Sequence, residues 1–231
     1  MTANTGKHLE HIERAVAHGA NLVFFPELSL TGYEPRLAKS LAIDITDPRL
    51  DVFQRISDAY DLVIGVGAPL LVRSQVQIGM VWFEPRAPRL VYAKQHLHSD
   101  ELPFFVQGSE HLVMEVDTHK LAPAICYESL QPSHADSAAR MGVDVYLASV
   151  AKPAGAMAKA MLHYPAIARK HNMYVIMADC VGPSDDFVSV GQSAVWNRSG
   201  ELLAQMDSES EGMVIVDTLS GVACVYSPVT E

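Results

Sequence analysis

The sequence is poor in cysteine and has no long apolar run, and both absences narrow the classes of protein that it can encode. Three cysteines occur in 231 residues, widely spaced and without a Cys-x-x-Cys pair. An odd, scattered set indicates neither a disulfide framework nor a zinc ribbon, so a reduced cytoplasmic setting is favoured. No segment approaches the roughly 18 consecutive apolar residues of a membrane span. No apolar stretch follows the N-terminal residues as it does in a signal peptide.

Basic residues are sparse as well. Lysine and arginine number 17 against 27 aspartates and glutamates, the formal net charge is −10, and no Lys/Arg-rich run occurs. This balance argues against nucleic acid or an acidic membrane surface as the main partner. It does not repel small neutral molecules, so a small-molecule substrate is the expected partner. We expect neither a cofactor nor a bound metal.

The hydrophobic content of 49% is enough for a substantial core. No linker or low-complexity segment marks a boundary, so we predict a single domain over residues 1–231. Short, wholly apolar runs alternate with segments of helical periodicity, which predicts a mixed α/β sheet with helices outside it. Helices are predicted at 7–18, 48–60, 132–141 and 157–171, and strands at 21–26, 62–68, 77–83, 89–94, 111–116, 121–126, 143–150, 173–178, 193–197, 202–206 and 212–217.

Residues 19–26 and 142–149 echo each other weakly, because each has a glycine after a helix and then an apolar strand. Two similar halves of this kind would form a layered α-β-β-α sandwich. The same pattern occurs in any protein built from βαβ units, so the echo by itself is weak support.

Three reactive residues directly follow apolar strands, where side chains of an α/β sheet converge on ligands. Glu27 could act as a general base, Lys94 could stabilise an oxyanion, and Cys126 could be a nucleophile. Each also has a simpler interpretation. Glu27 and Lys94 could be solvated strand ends, and Cys126 could be a small buried apolar residue. That last interpretation suits Cys180 and Cys224 better, since no polar constellation lies near them in sequence.

Together the three segments resemble one family, the carbon–nitrogen hydrolase (nitrilase-like) superfamily. Residues 25–33 read Phe-Pro-Glu-Leu-Ser-Leu-Thr-Gly-Tyr, residues 92–97 read Tyr-Ala-Lys-Gln-His-Leu, and residues 124–129 read Ala-Ile-Cys-Tyr-Glu-Ser. Their order and spacing are similar to the Glu, Lys and Cys blocks of that family. The resemblance covers nearly the whole chain and also includes residues 166–172, 191–193 and 197–200.

The resemblance implies a four-layer α-β-β-α sandwich and a covalent hydrolysis of a small linear amide or carbamoyl compound. Glu27 would take the proton of Cys126, whose sulfur attacks the carbonyl carbon. Lys94 and the backbone N–H of Tyr127 would hold the oxyanion. Glu101 matches a second glutamate that many members carry and would orient the substrate, although a solvated loop glutamate fits it nearly as well.

Two features depart from the family pattern. Members usually open with an apolar strand inside the sheet, whereas this chain enters its first helix almost at once, so we expect the usual first strand to be missing. Many members also have a tryptophan in the loop after the strand at 143–150, where this chain has Ala-Lys-Pro-Ala-Gly-Ala-Met. Lys152 in that loop could pair with a substrate carboxylate, but an exposed loop lysine is the simpler interpretation. Tyrosine after Cys126 favours the amidase branches.

The resemblance also implies assembly. Family members commonly pair through helices corresponding to residues 132–141 and 157–171, so we expect a homodimer or a larger even homo-oligomer. Met157, Ala160, Met161 and Ala168 are the expected contact residues, unless they face the sheet. Two other function classes stay open: a catalytically silent binding or assembly protein, and a cysteine-dependent acyltransferase.

Overall fold

The computed structural model describes residues 1–227 and divides into two compact units. Unit 1 is Met1–Leu112, and unit 2 begins at Val113. Each is an α/β unit with its own sheet and its own core. The single domain over residues 1–231 stays a prediction.

Unit 1 contains a four-stranded sheet in the order β1-β2-β3-β4. The pair β1–β2 is parallel, and the other two pairs are antiparallel. Its core joins Ile12 of the first helix and Phe53 of the third to inward-facing strand residues such as Ile64 and Val81. The elements are α1 (Thr2–Ala17), β1 (Leu22–Phe24), α2 (Ala38–Leu41), α3 (Asp51–Tyr60), β2 (Val63–Val72), β3 (Gln75–Phe83) and β4 (Leu90–Ala93).

Unit 2 contains a six-stranded sheet in the order β12-β11-β8-β7-β6-β5 and two separate hairpins, β9–β10 and β13–β14. The central pairs β6–β7 and β7–β8 are parallel, and α4 and α5 connect them. The elements are β5 (Met114–Val116), β6 (His119–Ile125), α4 (Pro132–Arg140), β7 (Val145–Val150), α5 (Ala154–His171), β8 (Tyr174–Asp179), β9 (Val181–Ser184), β10 (Phe187–Val190), β11 (Ala194–Trp196), β12 (Leu202–Gln205), β13 (Met213–Val216) and β14 (Ala223–Tyr226).

Hydrophobic periodicity found the main helices and strands of both units, and the hairpin of β3 and β4 is confirmed. It missed α2 and the hairpin of β9 and β10, and it ended β2 too early. The β9 segment contains Gly182 and Pro183, which are turn signals in sequence. A proline is nevertheless tolerated in a two-stranded ribbon, because an edge strand does not need every N–H. The predicted strand at 212–217 is confirmed, but its partner β14 was missed.

The expected contact residues of α5 face inward. Met157, Ala160 and Ala168 are at most 3% exposed within the chain itself, and Met161 packs against the same core. These side chains therefore cover the sheet of unit 2, which is the alternative that the sequence left open, and a subunit interface through this helix stays a prediction. Leu162, on the same helix, is 79% exposed. The homo-oligomer itself stays a prediction.

Among residues 1–227, no helix combines the length and the apolar character needed to cross a membrane.

Candidate active site

Glu27 lies in a tight turn that follows β1. The turn is held against β2, because Phe25 N donates to Gly65 O at 3.0 Å and Leu30 N donates to Gly67 O at 2.9 Å. A Cβ atom on Gly67 would lie 2.5 Å from Leu28 N and from Pro26 O, so this close approach requires glycine. The sheet beside Glu27 thus fixes its backbone. A reactive side chain needs such a fixed backbone to hold a defined position.

Lys94 directly follows β4 and is held by backbone hydrogen bonds on both sides. Lys94 N donates to Ile78 O at 2.9 Å, and Lys94 O accepts from Gly108 N at 2.8 Å. Its side chain has no exposed surface. The interpretation of Lys94 as a solvated strand end is therefore wrong.

Glu27, Lys94 and Glu101 form one buried charge cluster in unit 1. The Lys94 ammonium donates to Glu27 Oε1 at 2.7 Å and to Glu101 Oε1 at 2.6 Å. The side chains of both glutamates are at most 2% exposed. Charged groups lose hydration on burial, so they persist there only when paired in good geometry. The alternatives in which Glu27 and Glu101 are solvated are therefore wrong. Both side chains are buried and accept from Lys94.

Glu101 is held by more than the ammonium. Tyr33 OH donates to Glu101 Oε1 at 3.1 Å, and His98 N donates to Glu101 Oε2 at 2.8 Å. Three donors on one carboxylate fix its direction. Tyr33 ends the Phe-Pro-Glu block, so this block supplies both a carboxylate and a support for the second carboxylate.

Cys126 stands at the turn from β6 into a 3-10 helix, Cys126–Leu130. Its φ of 44° lies in the left-handed region, which a residue with a side chain adopts only when its surroundings hold it there. The turn is held by the buried Glu128 carboxylate, which accepts Ile125 N at 2.7 Å. Ser129 Oγ donates to Cys126 O at 2.5 Å. Cys126 is half-buried, so the interpretation as a fully buried apolar residue is wrong.

Two buried tyrosines make hydrogen bonds in this part of unit 2, Tyr164 to the turn itself and Tyr146 to His134 on α4. Tyr164 OH lies 2.7 Å from Ser129 Oγ, and His134 Nδ1 lies 2.7 Å from Tyr146 OH. Burial raises the pKa of Tyr164 to about 12, against the smaller opposing effect of Lys152. Burial likewise raises the pKa of Tyr146 well above its ordinary value, so both phenols are neutral over the physiological range.

Lys152 lies beside Cys126 in unit 2. Its side chain is almost fully buried, and its Nζ atom lies 3.7 Å from Cys126 Sγ. The interpretation of Lys152 as an exposed loop lysine is wrong. Its surroundings explain why: Lys152 N donates to Asp179 Oδ1 at 3.0 Å, and Lys152 O accepts from Val190 N at 3.0 Å, which draws the loop onto β8 and β10.

Tyr127 and the two other cysteines complete the positions predicted from the sequence. Tyr127 follows Cys126 in the 3-10 helix, with a 37% exposed side chain. Its oxyanion role stays a prediction, as does the convergence of Cys126 with Glu27 and Lys94. Cys224 is exposed on β14. Cys180 is half-buried, and its Sγ lies 3.2 Å from Ser189 Oγ. The expectation that both cysteines are buried apolar residues is therefore wrong.

Sequence reasoning missed the supports of the cysteine turn. Glu128 and Ser129 stand in the Cys block itself and carried a signal, since a buried carboxylate two residues after the cysteine can reach back to a backbone N–H. Tyr164 is far along the chain and gave no local signal, and the same holds for Asp179, which fixes the neighbouring Lys152. Among residues 1–227, no group of three or more histidine, cysteine, aspartate or glutamate side chains is arranged to hold a metal ion.

Sequence comparison finds a matching family model and named relatives. The family model for carbon-nitrogen hydrolases matches residues 1–222. A nitrilase from Pyrococcus abyssi is 30% identical over 220 residues, which is 90% of this chain and 80% of that protein. A glutamine-dependent NAD(+) synthetase from Acinetobacter baylyi is 24% identical over 91% of this chain. The chain spans only 40% of the length of that synthetase.

Structural comparison finds the same fold in an amidase from Nesterenkonia sp. AN1. One structure matches with a TM-score of 0.83 and 21% identity, over 98% of this chain and 84% of the amidase. In that amidase variant, the acetamide moiety of fluoroacetamide is covalently added at the active-site cysteine. Another variant of the amidase was solved in complex with butyramide. At this identity the likeness shows the fold, and it confirms the predicted nitrilase-like α/β class.

Proposed function

Because the chain belongs to the carbon–nitrogen hydrolase family, we propose that it hydrolyses a non-peptide C–N bond of a small linear amide or carbamoyl compound. The products are ammonia and a carboxylic acid, and the reaction passes through a thioester on Cys126. Within the family, the proposal assigns the chain to the amidase (omega-amidase-like) branch. Glu27, Lys94 and Cys126 are its catalytic residues.

The observation that carries the proposal is the buried charge cluster of unit 1. Lys94 donates to Glu27 and Glu101 at 2.7 and 2.6 Å, and all three side chains are at most 2% exposed. A buried ion pair is weak evidence for stability, since apolar side chains of similar volume often do as well. A carboxylate and an ammonium held rigidly in a desolvated place are, however, what a base and an oxyanion donor require.

The mechanism follows from the chemistry of the three groups. Glu27 accepts the thiol proton of Cys126, and the sulfur adds to the amide carbon. The negative charge moves to the carbonyl oxygen, where Lys94 and the N–H of Tyr127 stabilise it. The intermediate collapses, the C–N bond breaks, and the nitrogen leaves as ammonia with the proton from Glu27. Water then gives a proton to Glu27 and its oxygen attacks the thioester, releasing the acid and restoring the thiol.

Glu101 has a positioning role in this scheme. Its carboxylate shares the Lys94 ammonium with Glu27 and is itself held by Tyr33 OH and His98 N. Two carboxylates that accept from the same ammonium restrict its orientation, which suits a donor that must meet a developing oxyanion. Orientation of the substrate by Glu101 is part of the same proposal.

A panel of amides tests the function and narrows the substrate. It contains acetamide, butyramide, glutamine, a half-amide of a dicarboxylic acid and one aliphatic nitrile, and ammonia release is measured. We expect at least one amide to be hydrolysed by the wild type and by Cys180→Ala, and none by Cys126→Ala. Equal turnover in Cys126→Ala would exclude the covalent route.

The same panel separates the enzyme from a catalytically silent relative. A substrate amide should slow the formation of a single iodoacetamide adduct on Cys126, because both reagents need the same sulfur. Absence of any ammonia release, with Cys126 alkylated at the same rate in the presence of every amide, would favour the binding protein. A cytoplasmic location and an even-numbered homo-oligomer accompany the proposal as predictions.

A further inference from the structure

Lys152 is a second lysine beside a reactive group, distinct from Lys94 of the proposed triad. It follows Ala151 at the end of β7, and its Nζ atom lies 3.7 Å from Cys126 Sγ. That distance is within hydrogen-bonding range for sulfur. Its side chain is buried, so bulk water and salt screen its charge only weakly. An ammonium this close acts on the sulfur of Cys126 directly.

The backbone of Lys152 is fixed by hydrogen bonds at both its N–H and its carbonyl group. Asp179 on β8 accepts Lys152 N at 3.0 Å, and Val190 on β10 donates to Lys152 O at 3.0 Å. Pro153 is the N-cap residue of α5, which begins at Ala154. A lysine tied at its own backbone loses less freedom when it holds one geometry, so this contact is built into the fold.

We propose that Lys152 is a catalytic residue that stabilises the thiolate of Cys126 by an ion pair between its ammonium and the sulfur. This deepens the proposed function and rests on it for the role of Cys126 as nucleophile. Lys152 keeps its proton throughout. The proton lost by the thiol passes to the base or to solvent, and the negative charge left on sulfur faces the ammonium until it attacks the amide carbon.

A competing contact exists at the same sulfur. Cys126 Sγ lies 3.6 Å from Ala151 O, so the neutral thiol can donate its proton to that carbonyl. A thiol is a weak donor, whereas a hydrogen bond between an ammonium and an anionic acceptor is charge-assisted and stronger. The contact with Lys152 therefore outweighs the contact with Ala151, and the thiolate is the favoured form.

Other ionisable groups lie near this pair in unit 2. Tyr164 and His163 on α5 are both influenced by the charge of Lys152. Burial lowers the pKa of His163, and Lys152 lowers it further, so this imidazole is neutral near pH 7. Tyr164 is neutral up to about pH 12. Asp179 and Glu128 are the nearby carboxyl groups, and each accepts a backbone N–H, of Lys152 and of Ile125 respectively.

The test measures how fast iodoacetamide alkylates Cys126 at each pH, by mass spectrometry of the peptide that contains it. The thiolate is the reacting form, so the rate rises through an inflection at the pH where the thiol loses its proton. The position of the inflection is a better readout than the rate at one pH, because a thiolate of lower basicity is also a weaker nucleophile. Cys224 is exposed and serves as an internal reference thiol in the same sample.

We expect the inflection of Cys126 in the wild type to lie below that of Cys224. Lys152→Met should raise it by about 1 to 3 pH units, Lys152→Arg should leave it near the wild-type position, and the exposed control Lys159→Met should not move it. A wild-type inflection at or above that of Cys224 overturns the proposal without any variant. An unchanged inflection in folded Lys152→Met overturns it as well.

This assay needs no amide turnover, so its outcome is separable from that of the proposed function. A low inflection that depends on Lys152, in a protein that hydrolyses no amide, would support the ion pair and contradict the proposed hydrolase function. Amide hydrolysis that depends on Cys126, together with an inflection at or above that of Cys224, would support the hydrolase function and contradict the ion pair.

Discussion

Replacing Lys94 by methionine tests whether the charge cluster of unit 1 exists as described. Methionine has nearly the length of lysine and fills similar space, but it has no charge. The substitution leaves the carboxylates of Glu27 and Glu101 buried together without the ammonium that both accept from at 2.7 and 2.6 Å. Breaking a buried ion pair by removing one partner costs about 3–5 kcal/mol. We expect a loss of this size in the free energy of unfolding at pH 7, which is a large part of the stability of a domain.

Urea unfolding followed by tryptophan fluorescence measures this loss. The chain has two tryptophans, both buried: Trp82 in unit 1 and Trp196 in unit 2. A Trp196→Phe background therefore restricts the signal to unit 1. Lys39→Met is the matched control, since it removes one exposed lysine from the same unit and should change stability by less than about 0.5 kcal/mol.

A double variant separates the charge effect from a packing effect. Adding Glu101→Gln to Lys94→Met removes one of the two buried carboxylates that lost their cation. The amide oxygen can still accept from His98 N, and the amide nitrogen can donate to Tyr33 OH, which then accepts instead of donating. We expect the double variant to be more stable than Lys94→Met alone by about 1–3 kcal/mol. Equal stability of Lys94→Met and its background, or a double variant less stable than Lys94→Met, would refute the reasoning.

Two further outcomes are expected. Burial lowers the pKa of His8 from 6.5 to about 4, so the unfolded chain binds the proton more tightly than the folded chain. The contribution of His8 to the free energy of unfolding should be full above about pH 6.5, and stability should fall by roughly 3 kcal/mol towards pH 4. His8→Gln should flatten this slope in urea titrations across that range, whereas an unchanged slope would exclude His8 as its source. Light scattering at micromolar concentration should give an even multiple of the 25.2 kDa chain mass; a monomer mass that stays constant on concentration would rule out the expected assembly.

The positions of the reactive residues could be predicted from sequence, but their burial could not. Glu27, Lys94 and Cys126 each follow an apolar strand, and this local pattern is visible in the sequence. Whether a charged side chain is solvated depends on partners that come from elsewhere in the chain. Lys94 is buried because Glu27 and Glu101, 67 and 7 residues away, both accept from it. No local pattern contains that information.

Lys152 shows the same limit more sharply. Its neighbours Ala151, Pro153 and Gly155 are typical of a surface loop, so an exposed lysine was the simpler interpretation. The loop is instead fixed by Asp179, 27 residues further along the chain, and by β10, which was not predicted. The β9–β10 hairpin was missed because glycine and proline signal turns. Because this hairpin was missed, the hydrogen bond from β10 that holds Lys152 beside the candidate nucleophile could not be predicted.

The formation of a thioester on Cys126 tests the central claim most directly. The wild type is mixed with the best amide of the panel, quenched rapidly in acid, digested and measured by mass spectrometry. The proposal predicts the acyl group of that amide on the peptide containing Cys126, none on the peptides of Cys180 and Cys224, and a slower appearance in Glu27→Gln. Turnover of the amide with no acylated Cys126, and with undiminished ammonia release in Cys126→Ala, would contradict it.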